Sequence, residues 1–212
     1  MQAITFIRLN SQRLPNKSIL PIGGIPLYEY SMNTMAKVKG IDEILVNSSE
    51  DYLKRSDVNY RFIKRPKSLD GDVDFNELMA NAIPHIDSEY ILFFCVTSPF
   101  LKQETIEDMI DAVQNRGYDS ALPVVSIKNF CWYKQKPLNY DLSKNIPWTQ
   151  HLEPVYVESS GFYIFKKSLF EETGRRIGFN PYLKEVDPFE GHDIDYEHDL
   201  HLAKSFLEAN LV

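Results

Sequence analysis

The sequence predicts an α/β fold, a mostly parallel sheet with helices on both faces. Two observations carry that expectation. Short apolar runs alternate with segments of helical period from the first residues onward, the signature of strand–helix–strand units. The run Tyr90–Val96 (YILFFCV) is apolar at every position, as a central strand buried on both faces requires.

Each element can be justified in order. Ala3–Ile7 reads as the first strand. Pro26–Val38 reads as a helix, with Pro26 in the first turn, where a missing N–H costs nothing. Glu43–Val46 and Tyr60–Ile63 are the next strands. Asp74–Ile86 is helical, with Asp74 or Asp72 as its cap. Gln103–Asn115 follows the central strand as an amphipathic helix, since Ile106, Met109, Ile110 and Val113 form one stripe. Ser120–Val125 is a further strand. From about 127 to 154 the pattern stops. That stretch is polar and aromatic, too long for an ordinary loop, and reads as a lid or as an arm on another subunit. Val155–Phe165 is strand, small-residue break, strand. Tyr196–Leu207 is a helix with Leu200, Ala203 and Leu207 on its apolar face. The whole chain, 1–212, reads as one domain.

Composition narrows the function. The 212 residues carry a net charge of -7, with no dominant basic cluster, which argues against a nucleic-acid partner. No apolar run approaches a membrane span, and the N-terminal apolar stretch is too short for a signal peptide. Cys95 and Cys131 form neither a CxxC pair nor a zinc spacing. A cytoplasmic protein acting on soluble substrates is the expectation.

In sheets of this kind ligands sit beyond the carboxyl ends of the strands, so the loops there are where chemistry is sought. The first is Arg8-Leu9-Asn10-Ser11-Gln12-Arg13-Leu14-Pro15-Asn16-Lys17. Its three cations and its backbone N–H groups suit phosphate oxygens, although a solvated basic loop has the same composition. It is no Walker loop, because GxxxxGK[ST] is missing. The second is His192-Asp193-Ile194-Asp195. In an extended segment, Asp193 and Asp195 share one side and suit Mg²⁺; the plainer alternative is that Asp195 caps the final helix. Thr97-Ser98-Pro99, after the central strand, can contact ligand or simply turn the chain. Arg65, in Lys64-Arg65-Pro66, can reach a nucleotide or lie in a surface turn. Cys95 reads as core, and the five histidines read mostly as surface residues without a ligand pattern.

Taken in order, these segments resemble the acylneuraminate cytidylyltransferases (CMP-sialic acid synthetases) and, more distantly, the CMP-Kdo synthetases. The matching pieces are Phe6–Lys17 followed by Leu20–Leu27, Lys64-Arg65-Pro66, Thr97-Ser98-Pro99 and Asp193–Leu200. The resemblance implies a Rossmann-like, glycosyltransferase-A-like three-layer sandwich with about seven strands and a protruding dimerisation arm. It implies a single cytidylyltransferase domain that transfers CMP from CTP to an acidic sugar, releasing pyrophosphate, for surface glycan synthesis. Arg8 and Lys17 would then hold the CTP phosphates, with Leu9, Asn10, Ser11 and Arg13 in the same loop. Arg65, Asn76 and Thr97 would lie on the nucleotide side, and Asp193 and Asp195 would hold Mg²⁺. Gln150, Tyr156 and Ser160 would face a small anionic acceptor, and the enzyme would be a homodimer.

The sequence departs from this pattern where the acceptor is expected. Cys95 replaces the Gln of Q-P-T-S-P, Val96 its Pro, Leu101 a following Arg, and Ser160-Gly161 the N-G pair. Another acidic or phosphorylated acceptor therefore stays open. So do a glycosyltransferase-A-like sugar transferase and a non-catalytic nucleotide-binding paralogue. Lys128, Lys134, Lys144, Arg175 and Arg176 are cations available to an acceptor carboxylate, with nothing in the sequence to choose among them.

Overall fold

The computed structural model describes residues 1–54, 56–71 and 73–212. Strand β1 (Gln2–Phe6) is followed by a small ribbon of β2 (Pro21–Ile22) and β3 (Ile25–Pro26), then helix α1 (Leu27–Met35). Next come β4 (Glu43–Ser48), β5 (Arg61–Lys64), α2 (Phe75–Ala82), β6 (Tyr90–Phe94), α3 (Gln103–Asn115) and β7 (Ser120–Ile127). A short hairpin, β8 (Trp132–Tyr133) and β9 (Lys136–Pro137), interrupts the irregular stretch. The chain ends with β10 (Val155–Glu158), β11 (Phe162–Lys166), α4 (Lys167–Thr173), β12 (Pro181–Val186) and α5 (Glu197–Glu208).

Eight strands form one sheet. Strands β5, β4, β1 and β6 run parallel, β11 is antiparallel between β6 and β7, and β12 is parallel to β7. Strand β10 pairs with the second half of β7, along the edge whose first half is taken by β11. The two halves of the predicted strand–break–strand thus share one edge, and the sheet is mixed and mostly parallel, as expected.

Alternation along the strands builds a core on each face. Ala3, Val46, Leu92 and Phe94 pack with Met32 and Met35 of α1 and Met109 and Val113 of α3. Ile4, Leu45, Ile91 and Phe93 pack with Met79 and Ala82 of α2 and Phe170 of α4. Each fully buried Val, Leu, Ile, Phe or Met side chain among them contributes roughly 1.5–3 kcal/mol. A third cluster, Ile22, Leu27, Phe100, Ile194, Leu200 and Ala203, anchors α5 over the ribbon.

Several boundaries differ from expectation for local reasons. Helix α2 ends at Ala82 and passes into a 3-10 turn, Ile83–His85, because Pro84 has no N–H to give to an α-helical bond. Asp74 caps α2, accepting the N–H of Glu77 at 2.9 Å while Glu77 accepts the N–H of Asp74 at 3.1 Å; Asp72, the alternative cap, lies outside the described residues. The central strand ends at Phe94 rather than Val96, and Cys95 turns its N–H to the Gly161 carbonyl. His192 is not a surface residue: it is half-buried and packs against Phe100 and Phe206. Of residues 128–154, all described, Leu152 alone is buried. No helix among the described residues is long and apolar enough to cross a membrane.

Candidate active site

The carboxyl ends of β1, β4, β5 and β6 lie on the same side of the sheet as the start of β11, and the segment after β12 meets the loop after β6 there. The loop after β1 folds back on itself. Asn16, in a left-handed conformation with φ 58°, donates its N–H to the Leu9 carbonyl at 2.8 Å. The Ser11 hydroxyl accepts the N–H of Leu14 at 3.5 Å. This turn brings Lys17 beneath Arg8 and Arg13, as walls of a cavity of about 300 Å³ that also includes Asn10 and Ser11.

Two of those cations, Lys17 and Arg13, pair with Asp195. Lys17 donates to its Oδ1 at 2.6 Å and to the Ile194 carbonyl at 3.3 Å. Arg13 Nη1 lies 2.5 Å from Oδ2 of the same carboxylate. Ile194 is fully buried, and its N–H donates to the Thr97 carbonyl at 2.9 Å, which fixes the segment between the two aspartates. Asp193 accepts from the Ser98 hydroxyl at 3.1 Å. Burial raises the Asp193 pKa above its ordinary value and the neighbouring Asp195 adds to this, while Lys17 and the hydroxyls of Thr97 and Ser98 offset part of it. Asp195 does not cap α5. Asp199 does that work, accepting the N–H groups of Asp195 and Tyr196 at 3.0 and 2.8 Å, which leaves the Asp195 carboxylate to Lys17 and Arg13.

A second cavity, of about 270 Å³, adjoins the first and shares Arg8 and Lys17 with it. Its walls include Thr97, Ser160, Cys95, Phe75, Tyr163 and Arg176. Burial pushes the Cys95 thiol up to about 12, so it stays protonated at neutral pH. Arg65 also lines this cavity, but its guanidinium is already engaged. It donates to Asp70 at 2.9 Å, to the Ile7 carbonyl at 2.8 Å and to the Asn47 carbonyl at 3.0 Å. Arg65 therefore ties three strand ends together from inside the protein.

The structure thus brings Arg8, Asn10, Ser11, Arg13, Lys17, Arg65, Thr97, Ser160, Asp193 and Asp195 to one cleft. Leu9 contributes its carbonyl to the loop. Three expected residues stand apart from both cavities. Asn76 is exposed on α2 with its side chain beside Gly174, and it is the neighbouring Phe75 that forms the wall. Gln150 and Tyr156 are exposed, on the irregular stretch and on β10. Sequence reasoning missed Ser98 as the partner of Asp193, and it did not separate Arg176 from Lys128, Lys134, Lys144 and Arg175. Arg176 lies just past helix α4, which is too short to show a period.

The model of the family described as "Cytidylyltransferase" matches residues 3–211. The chain belongs to the cytidylyltransferase family. An N-acylneuraminate cytidylyltransferase of Oncorhynchus mykiss is 25% identical over 216 residues, covering 95% of this chain and 49% of that protein. A 2-C-methyl-D-erythritol 4-phosphate cytidylyltransferase of Clostridium perfringens is 29% identical over 119 residues, covering 54% of this chain and 52% of that protein. The chain spans about half the length of these curated relatives. Among solved structures, a CMP:2-keto-3-deoxy-manno-octonic acid synthetase complexed with CTP superposes with a TM-score of 0.74 at 12% identity, covering 99% of this chain and 98% of that one. That likeness shows the fold, the Rossmann-like sheet of a cytidylyltransferase. The family match covers both the loop after β1 and the Asp193–Asp195 segment.

Proposed function

We propose that this cytidylyltransferase transfers CMP from CTP to the hydroxyl of a small anionic acceptor, an acidic sugar of the sialic type in the first instance. The observation that carries the reading is the meeting of Lys17 and Arg13 with Asp195, across a separation of 178 residues between Lys17 and Asp195. Three cations on one cavity suit a triphosphate, and two carboxylates beside them suit a metal that travels with it.

The chemistry is an in-line displacement. The acceptor oxygen forms a bond to the α-phosphorus, the bond to the bridging oxygen of the β-phosphate breaks, and pyrophosphate leaves while the hydroxyl proton passes to solvent. Arg8, Arg13 and Lys17 bind the phosphates and neutralise the charge that builds on the leaving group. The hydroxyls of Thr97 and Ser98 and the Ile194 backbone orient the two aspartates. The donor set fits Mg²⁺: hard carboxylate oxygens are present, and no group of three His, Cys, Asp or Glu able to hold a metal occurs among the described residues, so phosphate and water oxygens would complete the shell. When bound by Asp193 and Asp195, Mg²⁺ supplies charge neutralisation and a lowered pKa for the attacking hydroxyl.

The exposed aromatic and aliphatic side chains of the irregular stretch, Trp132, Tyr133, Leu142, Ile146 and Trp148 among them, support a homodimer in which this arm covers a second copy. A monomeric mass by light scattering at micromolar concentration overturns that part. The two free thiols, Cys95 and Cys131, agree with a reducing, cytoplasmic setting. The test of the whole reading is pyrophosphate release with Mg²⁺, comparing CTP with ATP, GTP and UTP across sialic-type acids, Kdo and methylerythritol 4-phosphate. Release with CTP and one acceptor is expected; failure of the protein to bind CTP at all overturns it.

A further inference from the structure

The second cavity has an uneven charge balance. Its described walls carry four cations, Arg8, Lys17, Arg65 and Arg176, and no acidic residue. Three of the four are engaged elsewhere in the protein. Arg65 is paired with Asp70, Lys17 with Asp195, and Arg8 donates to the Gly71 carbonyl at 3.0 Å. Arg176 has neither a hydrogen bond nor an ion pair to any described residue. What holds it is a pair of rings: its guanidinium carbon lies 3.9 Å from the centroid of Tyr163 and 4.8 Å from that of Phe75.

That platform is firm. Phe75 packs edge-on to Phe93 at 5.0 Å, Phe93 stacks with Tyr163 at 6.4 Å, and the Tyr163 hydroxyl donates to Glu158 at 2.7 Å. A guanidinium laid on aromatic faces keeps its five N–H donors available at its edge, in a fork that matches a carboxylate or a phosphate. Half-buried and without a counter-charge, it is the group in the cleft that a ligand can complete. The triphosphate of the proposed reaction has Arg13 in the adjoining cavity as well as the shared Arg8 and Lys17, and Cys95, a further wall of the second cavity, adds only a neutral thiol.

We propose that Arg176 is the specificity-determining residue for the acceptor, pairing through its guanidinium edge with a carboxylate or phosphate that the acceptor carries. This inference rests on the cytidylyltransferase reading and names what its second substrate must present. A neutral sugar alcohol leaves Arg176 unpaired and is rejected. The residue binds and positions; the reacting atoms lie towards Lys17 and Asp193.

The experiment is calorimetric titration of the full chain saturated with CTP, with divalent metal removed so that no turnover occurs. The probes are N-acetylneuraminate, Kdo and methylerythritol 4-phosphate, each against its uncharged counterpart, the two methyl esters and methylerythritol. Wild type is expected to bind at least one anion tenfold or more tighter than its uncharged partner, and which arm responds separates carboxylate from phosphate. Arg176→Gln should abolish that preference while binding CTP as wild type does. Arg176→Lys should keep part of it. Thermal melting of both variants shows whether they are folded, and Arg176→Lys keeps the test open if the glutamine variant is not. Equal binding of charged and uncharged probes by wild type, no binding of any probe, or a preference that survives in Arg176→Gln overturns the proposal. So does a loss confined to CTP affinity. Failure of wild type to bind CTP is a different result and removes the underlying function instead.

Discussion

Arg65 and Arg176 line the same cavity and are treated in opposite ways. Arg65 is fully buried and gives its donors to Asp70 and to the backbone of Ile7 and Asn47. Arg176 is half-buried, lies on two rings and gives its donors to no described residue. The loop after β1 follows the first pattern in milder form, since Lys17 and Arg13 already hold Asp195. The difference teaches that cations in a binding cleft fall into two kinds: those whose counter-charge is internal, which set shape, and those whose counter-charge must arrive with a substrate.

The comparison can be broken by experiment. The largest effect is expected from Asp193→Asn combined with Asp195→Asn. Loss of one such group typically costs on the order of 10²–10³ in rate, so turnover at saturating Mg²⁺ should fall by at least that much with the fold retained; near-normal pyrophosphate release removes the metal assignment. Arg65→Met should act on stability instead. Breaking a buried pair costs roughly 3–5 kcal/mol, read as a lower denaturation midpoint, and an unchanged midpoint would show that Arg65 is not the internal brace described here.

Asp193 gives a pH test with a definite sign. Its pKa is raised in the folded protein, chiefly by burial, so protonation favours the fold. The stabilising contribution is present at low pH and is lost as pH rises through the raised pKa. Activity that needs the carboxylate runs the other way and should fall, on acidification, above the ordinary carboxylate range. Asp193→Asn alone should therefore melt higher than wild type at pH 7 while losing turnover. A melting point that is lower at pH 7 contradicts the burial argument. The smallest effect concerns Ser160, which lines the second cavity and is held at φ 55°. A left-handed conformation costs an ordinary residue about 1–2 kcal/mol and asparagine less, so Ser160→Asn should gain roughly 0.5 kcal/mol in stability.

Much of this was legible in the sequence where periodicity is strong. Helix α3 spans Gln103–Asn115 as its apolar stripe predicts, and Asp74 caps α2 through a side-chain pattern that is local. Helix α4 and strand β12 went unread. The first has seven residues, too few to show a period, and the second is a half-exposed strand whose hydrophobic pattern is blurred by Lys184 and Glu185. The site shows the same division. Arg8, Lys17, Asp193 and Asp195 announce themselves by residue type and by the order of their motifs. That Asp195 meets Lys17 depends on where α5 packs, through Leu200 and Ala203 on Ile22 and Leu27. Arg65 has the residue type of a ligand contact, and only the fold reveals that its donors are spent. Arg176 is invisible locally because half of its platform, Phe75, comes from α2, far away in the chain, and the other half, Tyr163, from β11 across the turn of α4.

The bond between Lys17 and Asp195 also has a consequence for the order of events during synthesis. A contact separated by 178 residues cannot form until nearly the whole described chain has left the ribosome, since closing so long a loop must wait for the sheet beneath it. An emerging chain that has completed β1 through β6 already owns its basic loop and the parallel part of its sheet, but it lacks the Asp195 carboxylate that pairs with that loop. Nucleotide retained by nascent chains of increasing length, stalled and assayed in turn, should therefore appear late and in one step, when residues 193–208 become free to dock.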